Sequence, residues 1–447
     1  MSFSSFISAS LFSEESDSLD HAVISIYAIN DKGDVLIDKN SHLSLMPASC
    51  MKIVTTGAAL HLLGPDSTFE TTLEYDGTID QKKTLHGNLY IRGGGDPCLG
   101  SERMEEAYSW DRQIEIWKDE IKKIGIQKIM GKVIGDDTKW EKARAVPSWT
   151  WEDIGNYYGA GACALSFHEN YYSLFFKPGE KEGDNTAILY TDPPLPTSTF
   201  HNEVRTGPEG SGDCAYIFGS EFSPLQFVRG TIPAGVDKFT IKGSLSDPAA
   251  YCADLLAKRL QENGIAIKQQ DLPRQERKTV FHTAFSPAVE KIIYWTNQKS
   301  INLYAEHLLK KMGETVYHDG STASGIKAVT DFWRSQGIDL NGFYMADGSG
   351  LSRKNLITTK QLVQMLSFLK KSKFFPVFFK SLPQKEGFIR AKSGSISFVR
   401  GQAGYAEDIT FAIIINQCSN IQAMNDKICS FFSDLHKINE KQISSAE

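Results

Sequence analysis

Strand-like patterns occur at both ends of this chain, with helical patterns between them. Residues 21–38 alternate apolar and polar side chains around an Asp-Lys-Gly turn, which indicates a β-hairpin. Three further strand patterns lie near the C-terminus: GFIRAKSG (387–394), VRGQAGYAE (399–407) and ITFAIIIN (409–416). A sheet that contains strands from both termini would bring the two ends of the chain together, and this is the arrangement that we predict.

The middle of the chain is long and has its own strand and helix patterns. At 447 residues the chain exceeds the usual size of one domain, which indicates inserted material between the terminal strands. Hydrophobic periodicity and helix-ending residues predict helices at residues 49–63, 112–124, 248–264, 287–313, 322–336 and 358–371.

Composition and charge exclude several classes of protein. With 41% hydrophobic and 23% charged residues, and a net charge of −6, the chain is an ordinary folded protein without a basic surplus for nucleic acid. Seven cysteines without a C-x-x-C pair predict neither a disulfide scaffold nor a zinc site.

No apolar stretch reaches the roughly 18 residues of a membrane-spanning helix. Residues 1–20 lack the features of a signal peptide, and residues 436–447 are predicted to be a polar tail.

The first chemical signal is Ser49-Cys50-Met51-Lys52, at the start of the predicted helix 49–63. Residues three apart lie on one face of a helix, so the Lys52 amine can reach the Ser49 hydroxyl. A serine becomes a nucleophile when a base takes its proton, and a lysine can be that base if burial or a nearby cation lowers its pKa. Taken alone, an S-x-x-K match is more often a capping serine followed by a solvated lysine.

A second motif, Ser300-Ile301-Asn302, stands near a predicted helix boundary. Its serine could relay a proton to a leaving group, and its asparagine amide could hold a substrate carbonyl. By itself the motif is more often a capping serine beside a polar asparagine.

A third motif, Lys392-Ser393-Gly394, lies in a strand pattern. A cation beside a hydroxyl suits a substrate carboxylate, and a glycine would let a substrate backbone approach the strand closely. The next amide, that of Ser395, could form an oxyanion hole together with the amide of Ser49.

In this order, the motifs S-x-x-K, S-x-N and K-[TS]-G resemble the signature of the active-site serine penicillin-recognising enzymes. Ser49 and Ser300 are 251 positions apart, and Ser300 and Lys392 are 92 apart. The long first interval is similar to that of the D-alanyl-D-alanine carboxypeptidase/endopeptidase family, the class C low-molecular-mass penicillin-binding proteins of type 4. Other stretches that resemble this family are Pro47-Ala48-Ser49, GNLYIRGGGDPCL (87–99), WTWEDIGNYYGAGACAL (149–165), DGSGLSR (347–353) and GQAGYA (401–406).

The resemblance implies an α+β fold of the α/β sandwich type. A penicillin-recognising domain would place an antiparallel sheet of about five strands between helices, with one or two inserted, mostly β domains. The predicted divisions are an N-terminal segment (1–20), a split catalytic domain (21–69 and 281–435), inserted domain II (70–165 and 238–280), inserted domain III (166–237) and the polar tail (436–447).

The resemblance also implies a function. A serine DD-peptidase would cleave the D-Ala-D-Ala ends of peptidoglycan stem peptides through an acyl-enzyme, and penicillins would trap it. The family assigns Ser49 as nucleophile and Lys52 as general base, with Ser300 and Asn302 in the second motif and Lys392, Ser393 and Gly394 in the third. Asp153 resembles an acidic position that meets the amino group of a diamino acid. No metal or other cofactor is implied, and export to the periplasm or another extracytoplasmic part of the envelope is expected.

Two other functions stay open at this point: a β-lactamase or esterase on the same fold, and a non-catalytic cell-wall binding protein.

Other residues that could indicate a different catalytic chemistry do not form a complete motif. Cys50 is rotated by about 100° from Ser49 on a helix and has no histidine nearby in sequence. His168 is not followed by the second histidine of a zinc peptidase. The glycine-rich stretches at 93–97 and around Asp347 are predicted to be turns.

Overall fold

The computed structural model describes residues 19–444, without the side chains of residues 440–444. The strands are β1 (Val23–Ile29), β2 (Val35–Lys39), β3 (Glu70–Tyr75), β4 (Thr78–Ile79), β5 (Thr84–His86), β6 (Leu89–Arg92), β7 (Lys128–Ile129), β8 (Val133–Asp136), β9 (Tyr171–Lys177), β10 (Ala187–Asp192), β11 (Thr199–Gly207), β12 (Cys214–Phe218), β13 (Leu225–Pro233), β14 (Phe239–Ser244), β15 (Ala266–Ile267), β16 (Thr279–Phe285), β17 (Ile389–Ile396), β18 (Val399–Ala406) and β19 (Ile409–Asn416). The helices are α1 (Met51–Leu62), α2 (Trp110–Lys123), α3 (Trp151–Ile154), α4 (Pro248–Glu262), α5 (Val289–Gln298), α6 (Asn302–Tyr317), α7 (Thr322–Ser335), α8 (Thr359–Lys371), α9 (Phe375–Ser381) and α10 (Ile421–Ser444). Apart from its last two residues, the predicted N-terminal segment 1–20 lies outside the described residues.

Strands from both ends of the chain form one antiparallel sheet in the order β17–β18–β19–β1–β2. β1 pairs with β19 along its whole length, so the N-terminal and C-terminal parts of the chain meet inside the sheet. Every residue of β19 is buried, because helices cover both faces. On one face Ser25 Oγ lies 2.7 Å from the hydroxyl of Thr359 in α8, and on the other Phe411 packs into a core with α10. The prediction of an antiparallel sheet of about five strands between helices is confirmed.

Helix α10 corrects one prediction. The polar residues from His436 onward indicated a tail, but the helix continues to Ser444. Leu435 and Ile438 lie three positions apart, so both side chains reach the core beneath the sheet while the polar residues face outward. The predicted tail 436–447 is therefore wrong as far as the helix extends, and the last three residues lie outside the described part of the chain.

The chain forms two compact units. One contains the chain up to Ser67 and from Val289 onward, with the five-stranded sheet, and the other is Thr68–Ala288. The second unit holds the sheets β16–β3–β6–β8, β15–β7–β5–β4, β10–β9–β14 and β11–β13–β12. It has two separate hydrophobic cores, one containing Trp117 and the other Tyr172. This separation supports the proposal that the insertion comprises two domains, but the predicted bound at residue 238 is wrong, because β14 pairs with β9 and Ile241 shares the core of Tyr172.

One predicted helix is broken in the structure. The helical region 287–313 consists of α5 and α6, and Ser300 between them adopts a left-handed conformation with φ of 57°. The sequence has no glycine or proline at this break, so its helical periodicity gave no sign of the interruption. The other predicted helices agree with the structure to within two residues at each end.

Candidate active site

Ser49 lies in a 3₁₀ turn, Ala48–Cys50, that leads directly into α1. Ala48 has a positive φ of 46°, a conformation that costs free energy for a residue with a side chain and is concentrated at functional sites. The first turn of a helix has backbone N–H groups without intrahelical partners, so it favours negative charge that develops near Ser49.

The Lys52 side chain is fully buried and meets three oxygen atoms. Its Nζ lies 2.9 Å from Ser49 Oγ, and it donates hydrogen bonds to Asn302 Oδ1 at 2.7 Å and to the Ser349 carbonyl oxygen at 2.6 Å. Those two oxygens can only accept hydrogen bonds, whereas a serine hydroxyl can also donate one. A neutral lysine amine, with two protons and one lone pair, satisfies all three partners.

The pKa of Lys52 is lowered well below its ordinary value. Burial disfavours the charged form most strongly, and the positive charge of Lys392 acts in the same direction. The carboxylates of Asp347 and Glu306 oppose this effect only in part. Lys52 is therefore suited to take a proton from Ser49.

Asp347 and Glu306 shape the turn that delivers the Ser349 carbonyl to Lys52. Asp347 accepts hydrogen bonds from the amides of Gly350 at 2.8 Å and Ser352 at 2.6 Å, and the turn role predicted for it is confirmed. Glu306 accepts hydrogen bonds from the amide of Ser349 at 2.8 Å and from the neighbouring amide at 3.1 Å. Burial, together with the charge of Asp347, raises the pKa of Glu306 to about 7.

The sequence analysis missed Glu306 and Ser349. Glu306 looks like an ordinary polar residue in a helix, and Ser349 acts through its backbone carbonyl, which any residue type possesses. The stretch DGSGLSR did mark the correct loop, but its pattern could not tell which of its atoms points at the lysine.

Ser300 and Asn302 meet two different lysines. Ser300 Oγ accepts a hydrogen bond from Lys392 Nζ at 3.0 Å. Asn302 is the first residue of α6, and its side-chain oxygen Oδ1 accepts a hydrogen bond from Lys52 Nζ. The second motif therefore contacts both lysines, Lys392 through the Ser300 hydroxyl and Lys52 through the Asn302 side chain.

Lys392 is buried on β17, at the edge of the five-stranded sheet. It also donates a hydrogen bond to the carbonyl oxygen of Ser393 at 2.8 Å. Burial lowers the pKa of Lys392 to about 8, and the positive charge of Lys385 contributes to the shift. Ser393 is half-buried and Ser395 is exposed on the same edge strand, which has a sheet neighbour on only one side.

Gly394 has a different reason to be a glycine than the one expected. A Cβ atom there would lie 2.3 Å from the carbonyl oxygen of Pro47 and 3.2 Å from the amide nitrogen of Cys50. The missing side chain thus lets β17 pack against the turn that carries Ser49. The space beside Gly394 is filled by this turn and is not open to a substrate backbone, contrary to the expectation from the sequence.

The structure also shows the surroundings of Cys50 and Asp153. Burial raises the pKa of the Cys50 thiol to about 11, and its Sγ points to the carbonyl oxygen of Lys392, so a cysteine mechanism is not supported. Asp153 is not a surface carboxylate: it is 5% exposed and accepts hydrogen bonds from the Thr150 hydroxyl at 2.6 Å and the Thr150 amide at 3.3 Å. This capping box begins α3 in the inserted unit, and the role of Asp153 towards a diamino acid stays a prediction.

Across residues 19–444, no group of histidine, cysteine, aspartate and glutamate side chains has the arrangement of a metal site. Within the same described range, no helix combines the length and the hydropathy needed to cross a bilayer.

Sequence comparison finds a single family over nearly the whole chain. A model of the D-Ala-D-Ala carboxypeptidase 3 (S13) family matches residues 10–431. A D-alanyl-D-alanine carboxypeptidase of an Actinomadura species is 26% identical over 439 residues, which cover 90% of this chain and 79% of that protein. The D-alanyl-D-alanine carboxypeptidase DacB of Haemophilus influenzae is 24% identical, over 76% of this chain and 70% of its own length.

Structural comparison agrees. The crystal structure of penicillin binding protein 4 (dacB) from Haemophilus influenzae superposes with a TM-score of 0.79 at 22% identity, over 98% of this chain and 99% of that chain. A second structure of the same protein, complexed with a β-lactam, has a TM-score of 0.74 at 21% identity and the same coverage. At these identities the likeness establishes the fold, a penicillin-recognising α+β architecture.

Proposed function

The chain belongs to the D-Ala-D-Ala carboxypeptidase 3 (S13) family, a family of serine-type carboxypeptidases, and from this premise we propose that Ser49 is the residue that becomes acylated. The observation that carries this assignment is the buried Lys52 amine 2.9 Å from Ser49 Oγ. A nucleophile within hydrogen-bond distance of a base whose pKa is lowered is the arrangement that serine acyl transfer requires.

In the proposed first step the neutral Lys52 amine takes the hydroxyl proton of Ser49. The Oγ atom then attacks the carbonyl carbon of the penultimate D-alanine, forming a C–O bond and an oxyanion. Collapse of this tetrahedral intermediate breaks the C–N bond, and the proton that Lys52 took from Ser49 passes by way of the Ser300 hydroxyl to the departing D-alanine nitrogen, which leaves the Lys52 amine neutral again. Asn302 and the Ser349 carbonyl orient the Lys52 amine throughout.

Lys392 and Ser393 would bind the terminal carboxylate of the peptide. Lys392 is the cation of the third motif, and its hydrogen bond to Ser300 Oγ places it next to the proposed proton relay. A charged donor and a hydroxyl together make the strong, directional contacts that a carboxylate needs. The backbone amides of Ser49 and Ser395 would hold the oxyanion, which the free edge of β17 supports.

Water completes the cycle by attacking the acyl-enzyme, which releases the shortened peptide and restores Ser49. A β-lactam contains a strained amide with a nearby carboxylate, so it enters the same reaction but leaves a long-lived adduct on Ser49. The β-lactam complex of the Haemophilus protein supports this proposal.

Peptidoglycan stem peptides are the proposed partners of the site. Cleavage of D-alanyl cross-links, an endopeptidase reaction, follows the same chemistry with a larger leaving group, in which Asp153 would meet a diamino acid amine. Because peptidoglycan lies outside the cytoplasmic membrane, we place the working enzyme in the periplasm or another extracytoplasmic part of the envelope.

Mass spectrometry of the intact protein tests this function. Incubation with benzylpenicillin should add the mass of one penicillin to the peptide that contains Ser49, and incubation with purified muropeptides should release D-alanine. Rapid turnover of penicillin without a lasting adduct would favour a β-lactamase instead. Muropeptide binding without any bond cleavage would favour a non-catalytic wall-binding protein.

A further inference from the structure

A cavity of about 210 Å³ lies in the inserted unit, and none of the residues of the three motifs S-x-x-K, S-x-N and K-[TS]-G lines it. Its lining includes Asp96 from the glycine-rich turn after β6, Gln113 from α2 and His282 from β16. Tyr108 and Phe285 also line it, and both are more than half exposed, so the cavity opens to solvent between aromatic side chains. A cavity of roughly 150 Å³ already holds benzene, so this one has room for a small organic group.

Asp96 is a buried carboxyl for which residues 19–439 provide no counter-ion. It is 5% exposed, and one carboxylate oxygen accepts a hydrogen bond from the Cys98 amide at 2.7 Å. Its second oxygen has no hydrogen-bond partner in the part of the chain that the structure describes. Burial raises the pKa of Asp96 to about 7, and no neighbouring cation offsets the shift. A charged group removed from water in this way is costly unless a cation pairs with it.

Gln113 is the second buried polar group of the cavity. It is 4% exposed, and its side-chain amide makes no hydrogen bond to any described residue. Because Gln113 lines the cavity, its amide is available to water or to a ligand there.

The charges of the lining favour a cationic ligand. Asp96 and Glu106 are acidic, and no lysine or arginine is among the lining residues. Burial lowers the pKa of His282, which disfavours a positive charge on its ring. Tyr108 and Phe285 provide apolar ring surface for an alkyl part of the ligand.

We propose that this cavity binds a primary alkylammonium group. The ammonium pairs with the free oxygen of Asp96 and donates a second hydrogen bond to the amide oxygen of Gln113. The alkyl stem lies against Tyr108 and Phe285. The site belongs to the inserted unit and is independent of the reaction proposed for Ser49.

Calorimetric titration of the full chain with n-pentylamine at pH 8 tests the proposal. We expect saturable binding that weakens at least about tenfold in Asp96→Asn, because the charged pair is lost. Asparagine still accepts the hydrogen bond from Cys98, so the turn should keep its shape. The matched control is Glu102→Gln, a change at an exposed acidic residue outside the cavity, which should leave the affinity unchanged.

Three further measurements sharpen the result. The neutral isostere n-pentanol should bind at least about tenfold more weakly than the amine, because it lacks the charge. Gln113→Leu, which removes the amide at similar volume, should also weaken amine binding and serves as a second variant if Asp96→Asn does not fold. Comparing Nα-acetyl-lysine N-methylamide with 1,5-diaminopentane distinguishes a peptide side chain from a free diamine as the source of the ammonium. Absence of amine binding, or equal binding by wild type and Asp96→Asn, would overturn the proposal.

Discussion

The Nζ atom of Lys52 lies 2.9 Å from the Oγ atom of Ser49, in a network whose other two members can only accept hydrogen bonds. When the Lys52 amine is neutral, a form favoured by its lowered pKa, its two N–H groups can donate to Asn302 Oδ1 and the Ser349 carbonyl, which leaves the lone pair for the serine hydroxyl. This arrangement fits the role of general base that we propose for Lys52.

Ser49→Ala should abolish covalent reaction with benzylpenicillin, because no other hydroxyl occupies that position beside Lys52. Intact-protein mass spectrometry should show the unmodified mass after incubation. The neighbouring variant Cys50→Ala is the matched control and should still form the adduct, since the Cys50 thiol is buried against the Lys392 carbonyl. A penicillin adduct on Ser49→Ala would contradict the assignment of the nucleophile.

Lys52→Arg should lower the acylation rate by a factor on the order of 10²–10⁴, the usual contribution of a general base. Arginine keeps the positive charge but cannot give up its proton at accessible pH. Stopped-flow measurement with a chromogenic β-lactam gives the rate, and circular dichroism checks that the variant is folded. Acylation at a near-normal rate would move the role of base to another residue.

The pH dependence of peptide cleavage should show a basic limb near the pKa of Lys392, about 8. Lys392 carries the charge that binds the substrate carboxylate below this pH and loses it above, so kcat/KM should fall about tenfold per pH unit on that side. Lys385→Met removes a charge that lowers this pKa, so the limb should move to higher pH. Lys380→Met, at an exposed lysine that does not contribute to the shift, should leave the profile unchanged. An identical profile in wild type and Lys385→Met would rule out Lys392 as the titrating group.

Gly350→Ala should slow acylation by about two orders of magnitude, the cost of misplacing a catalytic group by roughly 1 Å. An added Cβ would lie 1.9 Å from the Ala48 carbonyl oxygen and 3.0 Å from the Ser49 amide nitrogen, so the nucleophile's turn must shift. Gly337→Ala is the control: Gly337 has a similarly positive φ of 79° but nothing within 4 Å of its Cβ position. Equal acylation rates for Gly350→Ala and Gly337→Ala would contradict this prediction, because they would attribute any slower acylation to backbone strain and not to the contact with the Ser49 turn.

Glu306→Gln should lower the free energy of unfolding by about 1–3 kcal/mol at pH 8. Glu306 accepts hydrogen bonds from the amides of Gly348 and Ser349 with both carboxylate oxygens, and a glutamine presents an N–H group to one of them. Acylation should slow as well, because the Ser349 carbonyl that orients Lys52 loses its support. Urea unfolding compared with Glu314→Gln, a change on the same helix, measures the difference. A Glu306→Gln protein as stable and as reactive as that control would contradict the positioning role.

Much of the fold and of the site was predictable from local patterns. Alternating residues around a turn located β1 and β2, whereas β19 was recognisable as a short apolar run, which is typical of a strand that is buried on both faces. The helix from Ile421 was missed because its polar residues outnumber its apolar ones, and only the buried positions such as Leu435 and Ile438 decide where it packs. The break at Ser300 was missed for a related reason, since a positive φ there is imposed by its surroundings and not by the residue type.

The sequence by itself determined which residues meet within one element: the three-residue spacing of Ser49 and Lys52 places the amine over the hydroxyl wherever that helix is packed. Only the tertiary structure decided that Ser300, 251 positions away, and Lys392 join the same site, that a backbone carbonyl completes the contacts of Lys52, and that Gly394 accommodates the turn before Cys50. The tertiary structure also lowers the pKa of Lys52. Both causes of this shift, burial of the amine and the nearby charge of Lys392, exist only in the folded chain.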